Sequence, residues 1–312
     1  MTGPIYVNGA MPGDILCVSL HDIRPQGVGV ACCGSHHGQL RHIIRNDDEG
    51  SDSRTKFFDL ISLDGCKMVR MRDHESIRNQ QEDKQQRDEG AATNDTATTP
   101  RQWKRIAPII FPMAPMLGVV GVAPAGKESI STIPAGKHGG NLDNNCNGIG
   151  STIYLKVNHP GALLSVGDMH ASQGDGEISG NGVEIGGNVL LQCHVIKAED
   201  LYDVVSDQNE STMTLEYPIT ETPSHWITHG VWEENIPYTT TLACQEAAKV
   251  LVGQWGFTAE EAFVFLSVKG NLGLCQSCHP DIGTQIAKMT VPKLPMCPRP
   301  FRCQWQDGSI PT

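Results

Sequence analysis

The 312-residue sequence predicts a mainly β fold, α+β at the margin: a β-sandwich or open barrel with a helical hairpin near its C-terminus. Three observations lead there. Residues 106–196 are rich in Gly, Pro and short apolar runs separated by turn signals. Within them Val189, Leu191, Cys193 and Val195 alternate with Leu190, Gln192, His194 and Ile196, which suits a buried strand. Helical spacing emerges only late in the chain.

The elements follow in order. A Pro12-Gly13 turn introduces a strand over 14–20, with Leu16, Val18 and Leu20 on one face and Ile15 and Cys17 on the other. Across 72–100 the composition turns polar, with Ile77 the only large apolar side chain. Such a stretch buries too little surface to offset its ordering entropy, and it predicts a disordered insert within a single domain spanning 1–312. Leu242, Ala243, Ala247, Val250 and Leu251 mark a helix over 242–255 that stops at Gly256. Thr258-Ala259-Glu260-Glu261 is a capping box that opens a second helix into Phe263 and Leu266.

Bulk properties narrow the function. A formal charge of −11 argues against a general attraction to nucleic acid or anionic membrane. No apolar run approaches the ~18 residues needed to span a bilayer. The start carries no basic region followed by an apolar stretch, so the sequence predicts a cytoplasmic protein whose eleven cysteines are mostly reduced.

Chemistry concentrates in two glycine-punctuated segments. Gly167-Asp168-Met169-His170-Ala171-Ser172-Gln173-Gly174-Asp175-Gly176-Glu177 holds four groups that bind metal or move protons. Lys137-His138-Gly139-Gly140-Asn141-Leu142-Asp143 lies upstream. Carboxylates and imidazoles brought together by tight turns suit a hard or borderline divalent cation. Asp168 and His170, two apart on a strand, share a face, and Asp175 and Glu177 repeat that spacing towards the same pocket.

Residues 160–177 resemble the signature of the acetamidase/formamidase family. Three further blocks agree in order: Thr2-Gly3-Pro4-Ile5-Tyr6-Val7-Asn8-Gly9-Ala10-Met11-Pro12-Gly13-Asp14, then 114–124, then Gly139-Gly140-Asn141-Leu142-Asp143. The resemblance implies metal-dependent hydrolysis of small linear amides such as formamide or acetamide, giving ammonia and a carboxylate. Zinc is the first choice of cofactor, with calcium also suited to an oxygen-rich site. It implies a homo-oligomer, and further strands before the Thr2 block that this sequence does not carry. The alternative function is then a catalytically impaired, truncated member acting as a scaffold or interaction protein.

Matched to the family motif, Asp143, Asp168 and His170 are expected metal ligands, with His138 as a further ligand or substrate-orienting group. Glu177 is the expected general base and then acid, because its longer arm reaches a metal-activated water and a neighbouring carboxylate raises its pKa. Asp175 joins it in the catalytic set. Asn141 would donate its amide to the substrate carbonyl or the oxyanion, or else cap a turn.

Other motifs point elsewhere. Cys275-Gln276-Ser277-Cys278-His279 has the spacing of a c-type haem attachment site. Cys275, Cys278, Cys297 and Cys303 could hold a structural zinc, and unrelated reduced cysteines are the simplest account. Cys146 with Lys137 and Glu177 would serve a cysteine-nucleophile amidase. His36 and His37 are read as peripheral, and His194 as a buried, hydrogen-bonded strand residue.

Overall fold

A computed structural model describes residues 1–34, 38–43, 53–72, 107–201, 215–233, 235–278, 284–295 and 297. The polar segment 73–100 lies outside the described residues, as do His36, His37, His279 and Cys303. The strands before the helices are β1 (Thr2–Ile5), β2 (Ile15–Gly34), β3 (Ser53–Leu63), β4 (Cys66–Met71), β5 (Ile110–Pro112), β6 (Met116–Gly121), β7 (Ala135–Gly136), β8 (Gly139–Asn141), β9 (Thr152–Lys156), β10 (Leu164–His170), β11 (Glu184–Ile196), β12 (Ile219–Glu221) and β13 (His225–Glu233). Helices α1 (Ile236–Trp255) and α2 (Ala259–Lys269) follow, then the hairpin β14 (Asn271–Gln276) and β15 (Thr284–Pro292).

Among the described residues fifteen strands join in one antiparallel sheet that curls as a half-barrel, the open form of the expected architecture. Its main path runs β14-β15-β13-β12-β9-β2-β11-β10-β6-β8-β7. Strand β2 forks the sheet. Its first residues, Ile15–Ser19, pair with β9, and its last, Val28–Gly34, pair with β3. The strand begins at Ile15 because Asp14 is used as an anchor. The Asp14 carboxylate accepts from the backbone N–H of Met11 and Ala198 at 2.9 Å each and pairs with Lys197 at 2.5 Å.

The two faces of β2 serve two cores, as the alternation foretold. Leu16, Val18 and Leu20 pack with Ile153, Leu155 and Leu164, whereas Ile15 and Cys17 pack with Tyr154, Trp226 and Val250. Strand β11 buries one face along most of its length, and its other face only at Ile196, which joins the second core. Val189, Leu191, Cys193 and Val195 pack against the first core while Leu190 is 61% exposed. His194 shares that outer face and is exposed, correcting the expectation of a buried histidine.

Helix α1 starts six residues before the apolar pattern does. Asn235 caps it by accepting from Tyr238 N at 3.0 Å. Thr239, Thr240 and Thr241 then turn their hydroxyls back onto the carbonyls of Asn235 and Pro237, a local arrangement that lets β-branched residues sit in a helix. Gly256 closes it in the left-handed conformation at φ 70°. The capping box of α2 forms as read, with Glu261 N on Thr258 Oγ1 at 3.1 Å and Thr258 N on Glu261 Oε2 at 2.9 Å. Ala243, Ala247, Leu251, Ala262 and Leu266 pack on Ala287, Met289 and Val291. That packing holds the β14–β15 hairpin, whose residues complete the site described next.

Candidate functional site

Strand β10, the turn after β8 and the turn after β10 bring a cluster of acids together in the sheet. Asp143 follows β8, Asp168 and His170 end β10, Glu177 lies in the turn after Gly176, and Glu184 opens β11 opposite His170. Donor atoms of Asp143, Asp168 and His170 lie within 4.8 Å of one another, and so do those of His170, Glu177 and Glu184. Of the six described non-glycine residues at positive φ, three are Asp143 (45°), Asp168 (56°) and Glu177 (44°). Three acids in a disfavoured backbone region at one place mark a site that the surrounding fold enforces.

Gly118 in β6 makes the room. A Cβ there would stand 2.5 Å from both Asp143 Oδ1 and Asp168 Oδ2, so only glycine lets these two oxygens converge. Gly182 does the same for His170, since its Cβ would meet Nδ1 at 2.6 Å.

His170 is fully buried and held from both sides. Nδ1 meets Gln173 Oε1 at 2.7 Å, and Gln173 Nε2 donates to the backbone carbonyl of Asp143 at 2.6 Å. Nδ1 is therefore the donor, and Nε2 faces the acids. It lies 2.7 Å from Glu184 Oε1 and 3.4 Å from Asp168 Oδ1, aligned for a hydrogen bond with neither. Burial draws its pKa down, but Asp168 and Glu184 outweigh that and push it up to about 11. Burial would raise Asp168, and the facing imidazole instead holds it below the ordinary carboxylate value.

Asp143 and Glu177 behave oppositely. Burial, then the charges of Glu177 and Asp168, push Asp143 up to about 8. Burial likewise pushes Glu177 up to about 7, partly offset by Gln276 and His170. Gln276 Nε2 donates to Asp143 Oδ2 at 2.6 Å and to Glu177 Oε2 at 3.1 Å. Asp143 Oδ1 is buried with no hydrogen-bond partner. Crowded acids, an orphaned carboxylate oxygen and an inward imidazole nitrogen fit a divalent cation that takes O and N ligands. Asp143, Asp168, His170, Glu177 and Glu184 thus form a cluster able to hold one.

The structure sorts the expected residues. Asp143, Asp168, His170 and Glu177 meet. Asp175 does not join them: the Gly174-Asp175-Gly176 run turns instead of continuing as a strand, and Asp175 pairs with Lys288 Nζ at 2.6 Å. His138 folds against Gly136 and Gly140 and is outside both converging groups. Asn141 lies in β8 with its Oδ1 buried and unpartnered. Glu184, Gln173 and Gln276 were not singled out. Glu184 carried a weak signal, an acid at the head of an alternating strand, and Gln276 stood inside the cysteine motif.

The competing motifs do not assemble. Cys275 and Cys278 are buried free thiols, 0% and 1% exposed, which leaves no surface for haem attachment. Among the described residues Cys275, Cys278 and Cys297 form no metal group. Lys137 is exposed and pairs with Glu216 at 3.2 Å, away from Cys146. Cys146 instead lies 4.0 Å from Lys288 Nζ, and burial pushes its thiol up, the wrong direction for a nucleophile.

Among the described residues no helix is long and apolar enough to cross a membrane. Known proteins share the fold. The chain is 28% identical over 218 residues to a Schizosaccharomyces pombe protein named as a formamidase, covering 63% of this chain and 52% of that one. It is 29% identical over 184 residues to an acetamidase of Mycolicibacterium smegmatis, covering 52% and 43%. The chain thus spans about half the length of the curated relatives it matches. The crystal structure of an acetamidase from Bacillus halodurans superposes with a TM-score of 0.67 at 28% identity, over 93% of this chain and 77% of that one. Residues 125–292, more than half of the chain and including every clustered acid, match the acetamidase/formamidase family, and the chain belongs to that family.

Proposed function

We propose that the protein hydrolyses small linear amides, formamide or acetamide, to ammonia and the carboxylate. The convergence of Asp143, Asp168, His170, Glu177 and Glu184 around an orphaned Asp143 oxygen, in a chain of this family, carries the reading. Asp143, Asp168, His170 and Glu184 would hold a divalent cation, zinc or calcium. When bound, the cation supplies Lewis acidity, which polarises a carbonyl and acidifies water.

The chain's own groups do the proton work. Amide nitrogen leaves poorly unless protonated, so one group must take a proton from water and return it to nitrogen. Glu177 suits this task. Burial holds its carboxyl above the ordinary carboxylate value, which favours taking up a proton. Gln276 fixes its orientation through Oε2. Gln173 fixes the imidazole tautomer, so that Nε2 faces the acids. The burial of Glu177, 6% exposed, keeps bulk water from competing for the proton.

Asp175 and His138 are not needed in this arrangement. Asn141, whose buried side-chain oxygen has no partner, remains a group for the substrate to meet. The domain is proposed as a single unit over 1–312, cytoplasmic and homo-oligomeric.

The test is ammonia release from formamide and acetamide. Activity removed by chelator and restored by zinc supports the reading, and Glu177→Gln then abolishes turnover while zinc still binds. A zinc-loaded, folded protein that releases no ammonia from either amide refutes it.

A further inference from the structure

We infer that Gln276 is a positioning residue, one that dictates which oxygens of Asp143 and Glu177 face the reaction centre. The inference rests on the amide-hydrolase reading above. Gln276 closes β14 and is 6% exposed. Its amide nitrogen has two hydrogens, and each has a carboxylate: Asp143 Oδ2 at 2.6 Å and Glu177 Oε2 at 3.1 Å.

The chemistry of the side chain matters here. A carboxamide donates twice, carries no charge and does not titrate. It can bridge two buried acids without neutralising either. A lysine at this position would cancel charge that a cation needs, and a leucine would leave two carboxylates with no donor between them.

The bridge divides the oxygens into two sets. Asp143 Oδ2 and Glu177 Oε2 are turned towards β14. Asp143 Oδ1 is left free and stands with Asp168 Oδ2 over Gly118. Glu177 is left with Oε1 for proton transfer.

The backbone shows that this contact is built. Gly176 N donates to Leu274 O at 2.7 Å, and Ser277 N donates to Gly176 O at 3.0 Å. These bonds stitch the Glu177 turn to β14 on both sides of Gln276. Residues 133 and 99 positions apart in sequence are thereby held at hydrogen-bond distance. The site built by the middle of the chain is completed by its C-terminal hairpin.

The experiment uses Gln276→Leu, which removes the donor, and Gln276→Asn, which keeps the amide on a shorter arm. Zinc affinity is measured by calorimetry on the metal-free protein, and kcat and KM are measured with formamide. Both variants should bind zinc about 10- to 100-fold more weakly. Turnover should fall by a similar factor, with KM for formamide within about threefold, since Gln276 does not reach substrate. General loosening of the fold would raise KM as well, and that outcome overturns the positioning role. Zinc binding within about twofold of the parent in a folded variant also overturns it. Should Gln276→Leu fail to fold, Gln276→Asn decides alone. A parent protein that binds no zinc and hydrolyses no formamide overturns the amide-hydrolase reading together with this one.

Discussion

Removing Asp175 should cost more stability than removing the lysine it pairs with. The Lys288 side chain is 6% exposed, whereas Asp175 is 55% exposed. The ammonium is held by Asp175 Oδ1 at 2.6 Å and Asn145 Oδ1 at 2.7 Å, with Cys146 Sγ at 4.0 Å. In Asp175→Ala the charge stays sealed with one neutral acceptor. Breaking a fully buried pair costs about 3–5 kcal/mol. The gap left by Asp175 opens to water, so the expected loss here is about 2 kcal/mol. In Lys288→Met the stem is replaced by a side chain of similar length, and Asp175 returns to solvent. A half-exposed pair is worth about 0–1 kcal/mol, and Asn145 loses a donor, so the expected loss is about 1 kcal/mol. The double variant should fall within about 0.5 kcal/mol of Lys288→Met, because once the ammonium is gone Asp175 keeps only an exposed bond from Asn145 Nδ2 at 2.8 Å. Urea unfolding with common m-values measures all three. A Lys288→Met variant less stable than Asp175→Ala would refute the reasoning.

Two further predictions concern Asp14 and Gly118. The Lys197 ammonium and two backbone N–H donors outweigh burial and hold the Asp14 carboxyl below its usual value of 3.8. Its stabilisation is fully present above that unfolded value and is lost as pH falls through the lower folded one. Asp14→Asn should therefore cost about 1–3 kcal/mol at pH 7, and the gap in melting temperature should close in strong acid. Gly118→Ala forces Asp143 and Asp168 apart, so far-UV circular dichroism should be unchanged while zinc affinity falls at least about tenfold.

Much of the scaffold was legible because its signals are local. The left-handed stop at Gly256 and the capping box from Thr258 to Glu261 are written within six consecutive residues. The two faces of β2 follow from alternation alone. The start of α1 was missed because three threonines suppress helix propensity, and only their bonds to Asn235 and Pro237 reveal how they are accommodated. On the outer face of β11 Ile196 is buried while His194 is exposed; that depends on what covers each position, and alternation cannot supply it.

The site divides along the same line. Asp143, Asp168, His170 and Glu177 stand in short glycine-rich segments whose composition announces chemistry. Asp175 stands apart from the cluster because its two-residue spacing from Glu177 spans a turn at Gly174 and Gly176 where a strand was expected. Glu184 faces His170 through strand pairing between β10 and β11, and Gln276 arrives from the far end of the chain. No local pattern encodes those meetings. They exist only once the sheet has closed.

The central claim is that these acids and His170 hold a divalent cation, and Glu184 tests it most sharply. Zinc titration of the metal-free protein, followed by calorimetry, should be set beside the same titration of Glu184→Gln. The account predicts saturable binding in the parent and an affinity at least about tenfold lower in the variant, with the fold intact. Equal zinc affinity in the two proteins, or no binding in either, would contradict it.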